Sequence, residues 1–284
     1  MSSVRETIRE THQTLEAVGI PDARLEAEVM VMTVMRMTRQ NIFAEQEAEV
    51  PASEAQQLAE IVAQRLERIP LAYIIGYREF YGINVVVTPD VLIPRPETEG
   101  MVEHTLFMAL MGMETRELTI ADVGTGSGAI AVNLAIHLPA ARIYAVDISE
   151  PALDVAAYNI RGHSVHDRVR LGHGDLLEPL PEPVDLIVAN LPYIPTDRIP
   201  VLQPEVHQEP QLALDGGPDG LDLVRRLLSQ APDKLNSPGI ILLELDPEQF
   251  PAAEAIALQQ FPDAEITAEQ DLARRDRIMV INRP

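Results

Sequence analysis

The feature that most constrains the fold is a regular alternation of strand-like and helix-like segments from Leu118 onward. Strand patterns occupy 118–122, 142–147, 168–172, 184–189, 239–245, 264–268 and 277–282, and helix patterns lie near 128–137, 151–161, 220–231 and 248–260. This alternation predicts a mainly parallel, seven-stranded sheet with helices on both faces. Because no convincing helix separates the last two strands, we expect the last strand to pair in the antiparallel direction.

The first part of the chain has a different pattern. Apolar residues recur at helical spacing from residue 3 to about 69, and Pro70 ends that run. Strand-favouring residues follow at Phe80–Tyr81 and Val85–Val87, and a helix is predicted from about Thr98 to Met111. We therefore predict a helical domain at 1–75, a hairpin linker at 76–95 and an α/β domain at 96–284.

Composition excludes several kinds of chemistry. The 284 residues include no cysteine, which excludes disulfides, thiolate nucleophiles and cysteine-bound metal centres. The seven histidines offer no metal site, so we expect no metal. Acidic residues outnumber basic ones by 44 to 22, which disfavours direct nucleic-acid binding. The chain has no long apolar segment and no apolar N-terminal stretch, so we expect no membrane contact and a cytoplasmic location.

The first candidate site is a glycine-rich turn between a strand and a helix, Asp122-Val123-Gly124-Thr125-Gly126-Ser127-Gly128. Glycine permits a tight turn and lets a ligand approach the backbone beside the helix N-terminus. The spacing differs by one residue from the dinucleotide-binding pattern. On its own, the turn is also compatible with a purely structural connection.

Acidic residues follow the next two strands. Asp147 lies 19 residues beyond Gly128, where a carboxylate can accept both ribose hydroxyls of a nucleoside. Asp175 and Leu176 follow the third strand, where an adenine amino group could be recognised. A helix cap at Asp147 and a turn aspartate at Asp175 are the structural alternatives. Because parallel strands end at the same edge of a sheet, the three motifs together predict one ligand across that edge.

The fourth motif, Asn190-Leu191-Pro192-Tyr193, directly follows the strand at 184–189. It suits an amide or aromatic amine nitrogen, which is a poor nucleophile because its lone pair is delocalised. The Asn190 side-chain oxygen and an adjacent main-chain carbonyl can accept the N–H protons of that nitrogen. Pro192 restricts the backbone, and Tyr193 can pack against a flat group. A simple turn at the end of the strand is the alternative interpretation.

Together these motifs resemble the Rossmann-like, class I S-adenosylmethionine-dependent methyltransferases. Further segments, spread in order over residues 20 to 284, resemble the peptide chain release factor glutamine methyltransferases (PrmC/HemK). These segments are Pro70–Gly76, Glu79–Gly82, Val91–Glu99, Glu205–Val206, Glu209–Pro210 and Ala213–Leu221. Within them, the block Ile93–Glu99 is highly specific. The chain departs from the family pattern at Leu191, which replaces a proline, at Arg274, and at Asp246, where glycine is expected.

The resemblance implies a helical-bundle domain for substrate recognition, a hairpin linker and a class I methyltransferase domain. It implies methyl transfer from S-adenosyl-L-methionine to the glutamine amide nitrogen in the Gly-Gly-Gln motif of release factors, the expected protein partners of a monomer. The donor would be bound by Gly124, Thr125, Gly126, Ser127, Gly128, Asp147, Asp175, Leu176 and Asn190. The catalytic and substrate-binding residues would be Asn190, Leu191, Pro192 and Tyr193. The pocket entrance would be shaped by Arg95, Glu97 and Glu99. A structural role in salt bridges is the alternative for these three residues.

Two other functions fit part of the sequence. Asn-Leu-Pro-Tyr is also the form seen in ribosomal RNA adenine dimethyltransferases, although the net charge of −22 and the helical domain weigh against that substrate. A binding module that has lost methyl transfer is the non-enzymatic alternative, favoured near the reactive centre only by Leu191. Residues 171–222 hold ten acids and one base, which suggests either an acidic rim for a basic protein or acid spread for solubility.

Overall fold

The computed structural model describes residues 2–112 and 117–284, which form two compact units. The first unit comprises Met1–Gly76 and Pro204–Gln208, and the second comprises Tyr77–Gln203 and Glu209–Pro284. Among the residues described, no helix has the length and apolar character needed to cross a membrane.

The first unit is built from helices, as the apolar spacing predicts. They are α1 (Val4–Ala17), α2 (Ala23–Met35), α3 (Arg39–Ala44), α4 (Ala52–Leu66) and α5 (Leu71–Ile75). A capping box begins α1: the Ser3 hydroxyl accepts from the Glu6 N–H at 3.3 Å, and the Ser3 N–H donates to the Glu6 carboxylate at 3.1 Å. The apolar faces meet in a core that includes Leu15, Met30 and Ile42.

A buried arginine joins the two stretches of chain that make up the first unit. Arg65 has only 2% of its side chain exposed, and it donates to Glu26 at 2.7 Å and to Glu205 at 2.9 Å. Arg68 donates to the same Glu205 oxygen at 3.1 Å. Burial acts to raise the pKa of Glu205, but a backbone hydrogen bond and both arginines outweigh it and hold the pKa below its ordinary value. The Pro204–Gln208 segment is therefore fastened to the helices by charge.

The hairpin lies within the second unit. Its strands, β1 (Tyr77–Phe80) and β2 (Ile83–Val86), pair in the antiparallel direction. Phe80 and Val85 are buried in the same core as residues of the large sheet. The Asn159 side chain donates to the Val86 carbonyl at 2.9 Å and accepts from the Val86 N–H at 2.8 Å. The hairpin therefore buries these apolar side chains, and pairs the backbone N–H and carbonyl of Val86, within the α/β unit.

The second unit contains the seven-stranded sheet that the alternation predicts. Its strands are β3 (Thr119–Val123), β4 (Arg142–Asp147), β5 (Val169–His173), β6 (Val184–Ala189), β7 (Leu235–Glu244), β8 (Glu265–Gln270) and β9 (Asp276–Arg283). Their order across the sheet is β5-β4-β3-β6-β7-β9-β8. The pairs from β5 to β7 are parallel, whereas β9 is antiparallel to both of its neighbours. The predicted fold class is confirmed.

Helices cover both faces of this sheet. They are α6 (Glu99–Gly112), α7 (Ala129–His137), α8 (Glu150–Gly162), α9 (Asp222–Lys234) and α10 (Phe250–Gln260). Alternate strand residues point into two separate cores. Ile120 and Leu186 join the core formed with α6, α7 and α8, while Ala121 and Ile187 join the core formed with α9 and α10. The central strands β3 and β6 are buried on both sides, as parallel strands usually are, whereas the edge strands β5 and β8 are partly exposed.

The strand order contains a switch point that positions the site. Strand β3 lies between β4 and β6: the chain runs from β3 through β4 to β5 at one edge of the sheet and then crosses to β6 on the other side of β3. Ligand crevices form at the carboxyl ends of strands beside such a point. The long connection from β6 to α9, for which no elements were predicted, contains short 3₁₀ turns at Thr196–Val201, Val206–Gln208 and Gln211–Ala213.

Candidate active site

The glycine-rich turn lies at the carboxyl end of β3. Gly124, Gly126 and Gly128 have φ angles of +71°, +53° and +78°, which disfavour any residue with a side chain. The N–H groups of Gly124 and Thr125 donate to the Val146 carbonyl at 2.9 and 3.0 Å, which ties the turn to the end of β4. Open space stands where Gly126 would have a Cβ, so a ligand can approach the backbone there.

Asp122 holds the turn from the protein interior. Its Oδ2 accepts from the Thr125 hydroxyl at 2.6 Å and from the Ala131 N–H at 3.0 Å. Burial raises the pKa of Asp122 to about 7; the Asp147 charge adds to this rise, and the two hydrogen bonds oppose it. Within the described chain, Oδ1 is buried without a hydrogen-bond partner. Asp122 therefore supports the turn as a group that is protonated up to near-neutral pH.

Asp147 ends β4 and faces the turn. Its Oδ2 accepts from the Gly126 N–H at 2.8 Å, and its Oδ1 accepts from the Ser149 N–H at 2.9 Å. The helix-cap alternative does not describe Asp147, because Ser149 caps α8 by accepting from the Ala152 N–H. Each carboxylate oxygen has a second lone pair, so Asp147 can still accept from a ligand.

Asp175 and Leu176 lie at the end of β5, on the other side of Asp147. The Gly174 N–H donates to the Asp147 carbonyl at 3.0 Å and joins the two strand ends. Leu176 is buried, while the Asp175 carboxylate forms an ion pair with Arg226 of α9. Asp175 is thus placed at the predicted edge of the sheet, but it has a cationic partner that was not predicted from the sequence.

Asn190 directly follows β6. Its Nδ2 donates to the Thr98 hydroxyl at 3.0 Å. Because Thr98 engages the amide nitrogen, the Oδ1 atom is the one that can accept a hydrogen bond from a ligand. Thr98 belongs to the Ile93–Glu99 block, but the sequence assigned it no role.

The rest of this motif divides between two environments. Leu191 is buried, and its Cδ2 stands 3.1 Å from the point where a Cβ on Gly124 would lie. The Tyr193 hydroxyl instead donates to the carboxylate of Glu244, at the end of β7, at 3.4 Å. Burial and then the Glu244 charge raise the pKa of Tyr193, so this phenol remains neutral.

The Ala213–Leu221 block packs behind the Asn190–Tyr193 motif. The Gly216 N–H donates to the Ile194 carbonyl at 2.9 Å. A Cβ on Gly220, whose φ is +77°, would stand 2.1 Å from the Tyr193 carbonyl oxygen. Glycine is therefore required there by both conformation and space.

The Ile93–Glu99 block is held by structural contacts. Arg95 donates to Glu209 at 2.5 Å, and the other oxygen of this buried carboxylate accepts from the Ile93 N–H at 3.1 Å. Glu99 accepts from the Tyr81 N–H at 3.0 Å, and Glu97 is exposed. For Arg95 and Glu99, these contacts favour the structural alternative over a role at the pocket entrance.

A single cavity collects most of the predicted site residues. It encloses about 910 Å³ of empty space, counting the open solvent at its mouth. The predicted residues in its wall are Gly124, Gly126, Asp147, Asp175, Leu176, Asn190, Leu191 and Pro192. In the described part of the chain, the predicted residues outside that wall are Thr125, Ser127, Gly128 and Tyr193. Wall residues without a sequence motif of their own include Ile148, Leu212, Leu223 and Arg226.

The acidic segment at 171–222 is largely paired. Arginines from outside the segment form ion pairs with six of its ten acids, which are Asp175, Glu182, Glu205, Glu209, Asp219 and Asp222. The Arg225 hydrogen bond lowers the pKa of Asp219 to about 2, against the opposing effect of burial. The net charge of the sequence segment therefore overstates the local negative field, which weakens the idea of an acidic rim.

Comparison with known proteins shows the family of this chain. Residues 6–76 match the family model of the PrmC N-terminal domain, and residues 104–209 match that of ribosomal protein L11 methyltransferase (PrmA). The release factor glutamine methyltransferase of Moorella thermoacetica is 42% identical over 282 residues, which cover 99% of each chain. This chain belongs to the release factor glutamine methyltransferase family. The member from Coxiella burnetii is 38% identical over 286 residues and is covered completely, as is this chain.

Membership in the release factor glutamine methyltransferase family confirms the resemblance and makes the chain a methyltransferase. Solved structures agree at the level of the fold. The ribosomal protein L11 methylase of Lactobacillus delbrueckii superimposes with a TM-score of 0.51 at 20% identity, covering 73% of this chain and 90% of the other. The family of the curated relatives, rather than the fold, disfavours the non-enzymatic alternative.

Proposed function

We propose that this chain transfers a methyl group from S-adenosylmethionine to the side-chain amide nitrogen of the glutamine in the Gly-Gly-Gln motif of release factors, and so modulates translation termination in the cytoplasm. The observation that supports it best is Asn190, whose nitrogen is engaged by Thr98 and whose oxygen branch is left for the cavity. The substrate class rests on relatives named release factor glutamine methyltransferase.

The cavity residues fit a nucleoside-type methyl donor. Asp147 can accept the ribose hydroxyls, and open space at Gly126 admits the ligand to the backbone of the turn. Leu176 and Ile148 offer apolar surface for a base. When bound, S-adenosylmethionine would supply a methyl group from a positively charged sulfonium sulfur. Loss of that methyl group leaves a neutral thioether. In this proposal the ligand-facing residues are Gly124, Gly126, Asp147, Asp175, Leu176 and Asn190, and the turn is shaped by Thr125, Ser127 and Gly128.

The acceptor side holds an amide nitrogen by its protons. The Asn190 Oδ1 and the Leu191 carbonyl accept the two N–H groups of the glutamine side chain. These bonds place the nitrogen and increase its electron density, while Pro192 limits movement of the backbone. Tyr193 packs against the flat amide with its hydroxyl anchored on Glu244. Alignment and exclusion of water supply most of the rate, and the proton leaves after methyl transfer.

Recognition of the protein substrate is assigned to the helical unit. Residues 6–76, which match the PrmC N-terminal domain, are proposed to contact the release factor outside its Gly-Gly-Gln motif. The enzyme is expected to act as a monomer without direct contact to nucleic acid. Because most acids of the 171–222 segment are paired, we expect salt to weaken this association only modestly.

Ribosomal RNA is the alternative substrate, because its adenine amines offer the same kind of nitrogen to the site. An adenine amine also presents two N–H protons to acceptors such as the Asn190 oxygen. The net charge of −22 and the family of the relatives favour a protein substrate.

A labelling experiment tests the proposal. Methyl-labelled S-adenosylmethionine is incubated with the enzyme and, separately, with purified release factor, ribosomal RNA and DNA. We expect label on the Gly-Gly-Gln peptide and loss of labelling when that glutamine is replaced by glutamate. Asn190→Ala should abolish turnover, whereas Asn84→Ala, at an exposed hairpin position, should retain it. Label on RNA alone, or near-normal turnover by Asn190→Ala, would overturn the proposal.

A further inference from the structure

Thr98 is a buried residue that contacts the proposed catalytic amide of Asn190. It is the last residue of a 3₁₀ turn, Pro96–Thr98, that leads into α6. Only 4% of its surface is exposed. Its hydroxyl oxygen accepts from Asn190 Nδ2 at 3.0 Å, so its contact is with the side chain that faces the cavity.

A buried carboxylate lies near this contact. Glu244, 2% exposed at the end of β7, accepts from the Tyr193 hydroxyl at 3.4 Å, and its Oε2 has no hydrogen-bond partner in the described chain. Burial raises the pKa of Glu244, while Thr98, Arg277 and Tyr193 oppose that rise. The Asn190 Nδ2 is held by the Thr98 hydroxyl itself, which leaves Oδ1 to face the cavity.

We propose that Thr98 is a positioning residue whose hydroxyl oxygen holds the Asn190 amide nitrogen, so that Oδ1 faces the substrate. The inference rests on the proposed function, in which Oδ1 accepts an N–H of the glutamine side chain. The two ends of an asparagine amide are nearly equal in shape but opposite in hydrogen bonding. A reversed amide would bring an N–H against the substrate N–H. The contact between Thr98 and Asn190 therefore determines whether the site can hold the substrate nitrogen.

Two substitutions of Thr98 separate the hydroxyl from the space that it fills. Thr98→Val keeps the shape and removes the hydrogen bond, whereas Thr98→Ser keeps the hydroxyl. We expect Thr98→Val to lower kcat for a release factor about tenfold or more, with unchanged affinity for S-adenosylmethionine, and Thr98→Ser to restore most of the loss. Thr105→Val is the matched control, since Thr105 is also buried and its hydroxyl donates to the Met101 carbonyl of its own helix, α6.

Two outcomes would contradict this inference. The first is wild-type kcat in Thr98→Val, or a loss in Thr98→Ser as large as that in Thr98→Val. The second is an equal loss in Thr105→Val, because it would show that a buried threonine away from Asn190 has the same effect.

A measurement without turnover separates this inference from the proposed function. In ¹⁵N spectra, the side-chain signals of Asn190 are assigned as those missing from Asn190→Ala. We expect them to show a protected hydrogen in the wild type and in Thr98→Ser, and none in Thr98→Val. If the wild type shows this protection but does not label the Gly-Gly-Gln peptide, the proposed function fails while the Thr98 contact stands. Unprotected Asn190 hydrogens in the wild type refute the contact itself.

Discussion

The side-chain nitrogen of Gln249 donates to the main-chain carbonyl of Tyr193 at 2.8 Å and to that of Asp219 at 3.1 Å. Its side-chain oxygen accepts from the N–H of Asp246 at 3.1 Å. This nearly buried amide therefore joins three segments of chain directly behind the proposed catalytic motif. Asp246, which departs from the family pattern, begins the 3₁₀ turn Pro247–Gln249 through a capping box, and so holds Gln249 in place.

We predict that Gln249→Glu harms the enzyme more than Gln249→Met. The carboxylate would remove both N–H donors and direct negative oxygens at the carbonyls of Tyr193 and Asp219. The methionine only leaves them unpaired, a cost of about 1–3 kcal/mol per buried group. Urea unfolding and turnover on a release factor measure the difference. Gln259→Glu, at an exposed position of α10, is the control, and an equal effect of Gln249→Glu and Gln259→Glu contradicts the prediction.

Gly124 and Leu191 form a second testable pair. Gly124→Ala adds a methyl group 3.1 Å from the Leu191 Cδ2 at a residue with φ of +71°. The left-handed conformation alone costs about 1–2 kcal/mol. We expect Gly124→Ala to weaken S-adenosylmethionine binding, and Leu191→Ala in the same chain to recover part of the loss by removing the steric contact. Calorimetric titration measures both effects.

Gly126→Ala provides the comparison for that pair. Gly126 has φ of +53° but nothing within 4 Å of the added Cβ, so its substitution brings strain without a clash. Leu191→Ala should therefore fail to improve Gly126→Ala. Equal recovery in both backgrounds would show that Leu191 does not act through the Gly124 contact.

The stability of the fold should depend on the protonation of Asp122. Burial raises the pKa of this carboxyl to about 7 in the folded chain, against 3.8 as its ordinary value. The folded state therefore keeps the proton while the unfolded state releases it. Stability from this group is complete below the unfolded pKa and is lost as pH rises through the folded pKa. The loss amounts to about 1.4 kcal/mol per pH unit and about 4 kcal/mol in total.

Asp122→Asn isolates that contribution because asparagine resembles the protonated acid. Its oxygen can still accept from the Thr125 hydroxyl and the Ala131 N–H. We expect the difference in free energy of unfolding between the two proteins to shift in favour of asparagine by that amount between about pH 4 and 7, and to level off above. Parallel pH profiles would show that Asp122 is ionised in the folded state.

Much of this architecture is encoded locally. Strands β4 and β6 lie at the predicted bounds 142–147 and 184–189, because each is a short apolar run bounded by turn signals. Gly124, Asp147 and Asn190 fall at one sheet edge for the same reason: each directly follows a parallel strand. The hydrogen-bond partners of these residues were not predictable in this way. Thr98 lies 92 residues from Asn190, and Gln249 lies 56 residues from Tyr193, so only the packed fold brings them together.

The ion pair between Asp175 and Arg226 gives the last prediction. Asp175 is predicted to recognise the adenine amino group, yet its carboxylate is bound by Arg226 in the cavity wall. A carboxylate retains lone pairs beyond those used by one arginine, so Asp175 can accept from Arg226 and from the adenine amino group at the same time. We expect Asp175→Asn to weaken binding of S-adenosylhomocysteine about tenfold, the scale of a hydrogen bond to a partly exposed charged group. Arg226→Met, which leaves the acceptor in place, should weaken it less.

The inosine analogue of S-adenosylhomocysteine tests whether the base is the group that Asp175 recognises. It lacks the amino group, so the wild type should prefer the adenine compound. Asp175→Asn, whose uncharged amide oxygen is a weaker acceptor, should lose part of that preference. Arg226→Met should keep the preference, because the carboxylate that accepts from the amino group remains. If Asp175→Asn weakens both compounds equally, Asp175 acts only through Arg226 and the wall of the cavity, and the adenine is recognised elsewhere.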